Sequence, residues 1–337
     1  MIENIRITNF GPIGNLEWKN LSNLNLTIGR NSSGKTFLLK SIYSAIRCIE
    51  SYKRGQERRS LTEILVDKLY WTFQADKIGD LVSKGSEYHL AYQMVVDNKN
   101  FSYTFGKDTV KQIAQIENQI EPRSSNSIFL PAKEVLSLHQ IILKIREQDK
   151  LFGFDDTYYD LAQALRNLPT RGNNYRDFAE ARKRIESLVD GRVDFDEESG
   201  LWQYKRANQK FSIGVTAEGI KKVAILDTLL GNRFLDTNSI IFIDEPESAL
   251  HPTAISEFLE IIAILAASGL QFFLASHSYF VIKKLFLIAQ RDQLEIPIIS
   301  NENDNWLSDN LLKGMPNNSI IDESIRLYKD EVEMVLQ

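Results

Sequence analysis

The segment Gly29–Thr36, GRNSSGKT, constrains this chain more than any other stretch, because it requires a strand before it and a helix after it. Both are legible. Leu24, Leu26 and Ile28 alternate with polar residues just upstream, and Leu38, Ile42, Ala45 and Ile49 recur at helical spacing just downstream. The segment satisfies G-x-x-x-x-G-K-[ST] at every fixed position: Gly29, Gly34, Lys35 and Thr36. Glycines let successive backbone N–H groups curl toward phosphate oxygens, and the helix N-terminus adds a positive dipole. A lysine then reaches the outer phosphates and a hydroxyl reaches magnesium. The expected ligand is a nucleoside triphosphate with Mg2+. Its expected contacts are Gly29, Arg30, Asn31, Ser32, Ser33, Gly34, Lys35, Thr36 and Phe37, with Thr36 also on the metal.

A second feature narrows the chemistry. The apolar run Ile240–Ile243 ends in Asp244-Glu245-Pro246-Glu247, which puts adjacent carboxylates at the tip of a buried strand, where α/β sheets build sites. Asp244 is expected to hold magnesium, through water, and Glu245 to orient and polarise an attacking water. The pair points to hydrolysis rather than transfer to a large acceptor.

The remainder of the chain supplies context. Ile5 and Ile7 alternate as in a strand, and Tyr88 to Phe105 reads as a hairpin broken at Asp97-Asn98-Lys99-Asn100. Residues 53–62 are polar and basic and read as an exposed connection. From Val135 to about Asp190 the pattern is helical, with a turn around Pro169 and Gly172–Asn174. Strand-like segments follow at Trp202–Tyr204 and Phe211–Val215, then a helix from about Gly219 and a second buried strand at Phe272–Ala275. Asp194-Phe195-Asp196 with Glu197 and Glu198 reads as a solvated turn between strands. From Ser319 a capped helix carries Ile321, Ile325, Tyr328, Val332 and Val335 on one stripe, which is expected to pack on the chain's own core.

Over 337 residues, 43% hydrophobic content is enough for a sizeable core. No apolar run approaches the roughly 18–20 residues of a membrane span, and the start MIENIRITNF lacks a signal-peptide pattern, so a cytoplasmic protein without a membrane partner is expected. Cys48 reads as a buried apolar residue, and four histidines with one cysteine offer no Cys/His metal-ligand spacing. A net charge of −5 argues against a surface coated in basic residues, although a local basic groove can coexist with it.

Asp244 to Pro252, DEPESALHP, resembles the Walker B and D-loop run of ABC-type ATPases. Together with GRNSSGKT and the early NFGPI (Asn9–Ile13), the chain is similar to the RecF/SMC/OLD branch of that family. The resemblance implies an α/β ABC-type P-loop NTPase with a parallel core sheet, an antiparallel β lobe and a helical lobe. It would form one domain over 1–337, with a helical subdomain at about 135–190 and a C-terminal amphipathic helix at about 319–336. It further implies that His277, between Ser276 and Ser278 after the strand QFFLA, is the switch histidine that senses the γ-phosphate.

The segment Phe211–Lys222, FSIGVTAEGIKK, occupies the place of the signature motif. Thr216-Ala217-Glu218-Gly219 keeps only one of its glycines, so Thr216 is expected to cap the helix and Gly219 to contact ATP across a dimer. His251 stands where transporters of the family have the D-loop aspartate, and His-Pro there resembles the OLD-type branch. About sixty residues follow His277, too few for the Toprim nuclease domain of OLD proteins, and the helices are too short for an SMC arm. Short members of the OLD-like branch resemble ATPase subunits of bacterial anti-phage defence systems, which implies a homodimer or higher oligomer and a separate effector protein. The competing expectation is a RecF-like ATPase clamping DNA, hinted at only by the basic run Lys53–Arg59.

Overall fold

The glycine loop leaves the carboxyl end of a strand inside a six-stranded sheet, and the order of that sheet explains what the loop faces. The computed structural model describes residues 1–166, 178–196, 198–302 and 305–336. The first half contains β1 (Ile2–Phe10), β2 (Ile13–Trp18), β3 (Leu24–Gly29), α1 (Lys35–Ser51), α2 (Leu61–Phe73), β4 (Leu90–Val96), β5 (Lys99–Phe105), β6 (Gln115–Asn118) and β7 (Ile128–Leu130). Next come α3 (His139–Lys144), α4 (Asp156–Leu165), α5 (Ala179–Val189), β8 (Arg192–Asp196), β9 (Leu201–Arg206), β10 (Gln209–Ser212) and α6 (Glu218–Gly231). The chain continues through β11 (Ile240–Asp244), α7 (Pro252–Ala267), β12 (Gln271–Ser276), α8 (Tyr279–Asp292), β13 (Pro297–Glu302), β14 (Asn305–Asn310) and α9 (Ser319–Leu336).

The core sheet runs β14-β13-β3-β12-β11-β7, parallel except for the antiparallel edge pair β13–β14. Because β3, β12 and β11 are parallel and in register, with Ile28 opposite Ser276 and Asp244 opposite Ala275, their carboxyl ends share one edge. Successive side chains take opposite faces. Leu26, Ile28, Ile241, Ile243 and Leu274 join a core with α4 to α8, whereas Phe242, Phe273 and Ala275 join one with α1 and the antiparallel sheet β2-β1-β4-β5-β6. The α/β architecture with a parallel core, an antiparallel β lobe and helices is therefore as expected. Between Val96 and Lys99, Asp97 and Asn98 both have positive φ, a two-residue hairpin that leaves Lys99 and Asn100 in β5.

Four expectations are corrected. Residues 61 and 62 open α2, whose start is fixed by a capping box between Ser60 and Glu63, so the exposed connection ends earlier. Asp194 and Asp196 lie in β8, where Asp194 pairs with Lys205 of the neighbouring strand at 3.0 Å, so the turn starts only after them; Glu197 lies outside the described residues. Residues 213–215 form a short 3-10 turn rather than a strand, and the hydroxyl of Thr216 donates to Ser212 O, leaving Ala217 at the N-cap of α6 with no side-chain cap. On α9 only Ile321 of the apolar stripe is buried; Ile325, Tyr328 and Val335 are exposed, and Asn318, not Ser319, accepts from the first helical N–H groups. The turn expected around Pro169 and Gly172–Asn174 lies outside the described residues.

An ionic cluster joins α1, α2 and α4. Lys68 lies 3.0 Å from both Asp156 and Asp160, Arg146 pairs with Asp156 at 2.6 Å, and the Tyr43 hydroxyl donates to Asp160 at 2.8 Å. Lys40, one turn after the glycine loop, pairs with Asp155 at 2.6 Å. The helix that follows the loop is thus bound directly to the helical segment. Among the described residues no helix is long and apolar enough to cross a membrane.

Candidate functional site

At the carboxyl edge of the core sheet, β3 passes into a loop whose backbone turns inward. Gly34 has φ +88°, a conformation that side chains rarely tolerate, and Ser32 has φ +64°. The Leu38 N–H donates to Gly34 O at 2.8 Å, so α1 begins at the loop and aims its N-terminus into it. Lys35 folds back across the loop, donating to Gly29 O and Arg30 O, both at 2.8 Å. Burial pushes its ammonium below the ordinary lysine range, opposed by Asp244, Glu245 and Glu247. Asn301 of β13 donates to Ser33 O at 2.9 Å and braces the loop from the side.

Across the edge, the carboxylate of Asp244 accepts from the Thr36 hydroxyl, at 2.9 Å and 3.1 Å to its two oxygens. Burial raises the Asp244 carboxyl above its ordinary range, opposed chiefly by that hydroxyl. Glu245 follows with φ +48°, and His277, at the tip of β12, places Nδ1 3.5 Å from its carboxylate. Both side chains are open to solvent. Lys222 of α6, buried beneath this turn, donates to the carbonyls of Asp244 and Glu245. Burial pushes it down to about 8 against the pull of Glu247, Asp244 and Glu245.

The expected site residues fall into three groups. Gly29, Arg30, Asn31, Ser32, Ser33, Gly34, Lys35 and Thr36 form the loop, and Asp244, Glu245 and His277 converge on it. Phe37 does not point its ring there: it packs on Phe73 and Phe10 with ring centroids 4.5 and 5.1 Å away, leaving only its backbone N–H for a ligand. Gly219 is buried against the chain's own segment at Ala249 and Leu250, where an added Cβ would lie 2.6 Å from Leu250 Cδ2 and 2.7 Å from Ala249 O. Its missing side chain therefore has a packing cause within one chain. His251 caps α7, its Nδ1 lying 2.8 Å from Thr253 Oγ1, which accounts for the His-Pro pair.

Sequence reasoning missed Glu247. It accepts from Ser276 Oγ at 2.8 Å and from the His277 N–H at 3.4 Å, and its second oxygen is buried without a partner. Its place in DEPE was the available signal.

The donor set suits a magnesium nucleotide. Thr36 and Asp244 offer hard oxygen ligands, and the Ser33 hydroxyl is buried in the loop without a hydrogen-bond partner. Among the described residues there is no cluster of three or more His, Cys, Asp or Glu that could hold a metal ion, and a magnesium bound at Thr36 and Asp244 would have room for phosphate and water ligands.

A phosphate loop and a carboxylate-tipped strand at one edge of this sheet define an ABC-type P-loop ATPase fold. The chain belongs to the family described as "AAA domain, putative AbiEii toxin, Type IV TA system", which matches residues 49–283, a span that includes Asp244, Glu245 and His277 and begins after the glycine loop. Among solved structures it is similar to an Smc head bound to the C-winged helix domain of ScpA, at 13% identity and TM-score 0.56, covering 93% of this chain and 98% of that one. It is also similar to the SMC head domain from Thermotoga maritima, at 14% identity and TM-score 0.49, covering 92% and 98%. No curated protein matches it in sequence.

Proposed function

We propose that this chain, acting as one ATPase unit, binds MgATP and hydrolyses it to ADP and phosphate, and that the cycle drives dimerisation or a conformational switch controlling a separate effector protein in a bacterial anti-phage defence system. The observation that carries the enzymatic part is the meeting of the Thr36 hydroxyl with the Asp244 carboxylate at 2.9 Å, beside Glu245 and His277 held 3.5 Å apart. In this reading Lys35 exchanges its loop carbonyls for β- and γ-phosphate oxygens, and Thr36 and Asp244 hold magnesium. Glu245 polarises the attacking water, and His277 hydrogen-bonds the γ-phosphate. Bound magnesium supplies positive charge against the phosphates.

The start of α6 around Gly219 would meet the nucleotide of a second copy; exposed Phe211 and Val215 beside it support an interface there, while the burial of Gly219 leaves the contact to its neighbours. Partner control is supported by the similar Smc head, which is seen with a bound ScpA domain. The RecF-like alternative is disfavoured by the basic run itself: Arg54 is spent on Ser124 O and Asn126, and Arg59 on Glu57 and Asp67. ATPase activity that rises with DNA and falls steeply with salt would reverse that preference.

The test of hydrolysis is Glu245→Gln. It should keep ATP affinity while turnover falls by about 100-fold or more, because the phosphate cradle stays and the charge acting on water is lost. Wild-type turnover in that variant would overturn the proposal.

A further inference from the structure

Glu245 occupies a left-handed backbone conformation, φ +48°, that residues other than glycine adopt only when their surroundings hold them there. Its N–H donates to Ala275 O at 2.9 Å and its carbonyl accepts from the Ser248 N–H at 2.9 Å, which fixes the turn to β12 and to the loop that follows. A third restraint comes from α6. Lys222 passes beneath the turn, and its Nζ donates to the carbonyls of both Asp244 and Glu245. The side chain is buried, and among the described residues these two carbonyls are the hydrogen-bond acceptors it uses.

Three residues earlier, on the same face of α6, Gly219 lies against Ala249 and Leu250, so the helix grips both ends of the loop 244–250. The adjacent Lys221 grips a different segment, with Nζ 3.0 Å from Ser137 Oγ and 2.8 Å from Glu218.

We propose that Lys222 is a positioning residue for hydrolysis: by donating to the Asp244 and Glu245 carbonyls it holds the Glu245 carboxylate in its place at the phosphate loop, and it makes that place depend on where α6 sits. The proposal rests on the ATPase reading. Lys222 bonds backbone carbonyls rather than the carboxylates, so its effect passes through Glu245. Movement of α6, which follows the segment bearing exposed Phe211 and Val215, would therefore move the turn that bears the water-activating carboxylate.

The experiment is steady-state ATPase kinetics and MgATP binding on the full chain, with thermal melting as a check on folding. Lys222→Met, of similar length and without donors, should lower kcat by roughly 10- to 100-fold, the scale of a small misplacement at a reacting centre, and leave KM and MgATP affinity within about twofold. Combined with Glu245→Gln it should cause no further fall, since the group it positions is already disabled. Losses that multiply in the double variant, or an affinity loss as large as the kcat loss, overturn the proposal. If the methionine variant fails to fold, the same measurements on Lys222→Arg, which keeps N–H donors at altered reach, decide it: a loss confined to kcat and masked by Glu245→Gln supports it, and unchanged kcat overturns it. Wild-type turnover that depends on Glu245 but is indifferent to both Lys222 variants overturns this proposal alone; wild-type chain without Glu245-dependent turnover overturns the ATPase reading as well.

Discussion

Lys35 rests with its ammonium on two carbonyls of its own loop, each 2.8 Å away, and is buried there. Phosphate oxygens would replace neutral acceptors with charged ones, adding charge–charge attraction to bonds that now have only the donor ionised. Lys35→Ala should therefore lower MgATP affinity by roughly 100-fold or more in a fluorescent-nucleotide titration, with the fold intact; retained affinity would remove the loop from the mechanism. Residues of this kind are legible because their spacing is set by one turn. Gly29 to Thr36 and the DEPE run each sit on a strand end, and alternation locates the first strand as an unbroken apolar run locates the second. Lys222 and Glu247 are not legible in the same way: their partners, the 244–245 carbonyls and Ser276, lie 22 to 29 residues away and are brought in only by the packing of α6 and β12. Thr216 misled because a hydroxyl before a helix resembles a cap, and here the chain turns one residue later.

Among elements, α2 depends on a charge that its own surface does not need. Lys68 places its ammonium between Asp156 and Asp160 of α4, and both carboxylates are buried. Arg146 and Arg47 share the load, yet Lys68 is the cation that α2 contributes. Lys68→Met should cost about 3–5 kcal/mol in chemical denaturation, because breaking a buried pair leaves charge uncompensated. A loss below about 1 kcal/mol would mean that the arginines suffice. The helix itself was hidden by the basic stretch before it, although Ser60 and Glu63 at capping-box spacing carried the signal. β8 was hidden by its acidic composition, which reads as solvated until Lys205 appears across the ladder.

At the scale of the molecule, α9 contributes little to the core. Leu327, Tyr328, Met334 and Val335 are all more than half exposed, and Ile321 alone is buried. A chain ended at Ile325 should keep its stability to within about 0.5 kcal/mol in denaturant titration, the range of surface changes, and a loss above about 2 kcal/mol would place this helix on the core in solution. The amphipathic pattern was legible; the surface it would pack against was not, because a stripe does not record whether the covering face belongs to the same chain. The order of the core sheet carries a further consequence, for synthesis. β3 ends at Gly29 and lies between β12 and β13 in the sheet, and the nearer of them along the chain begins at Gln271. At roughly 5–20 residues per second the ribosome needs some tens of seconds to reach it. Until then the glycine loop ends a strand with no partner on either side, so the sheet edge on which the proposed nucleotide site rests is assembled only once β12 and β13 have been made.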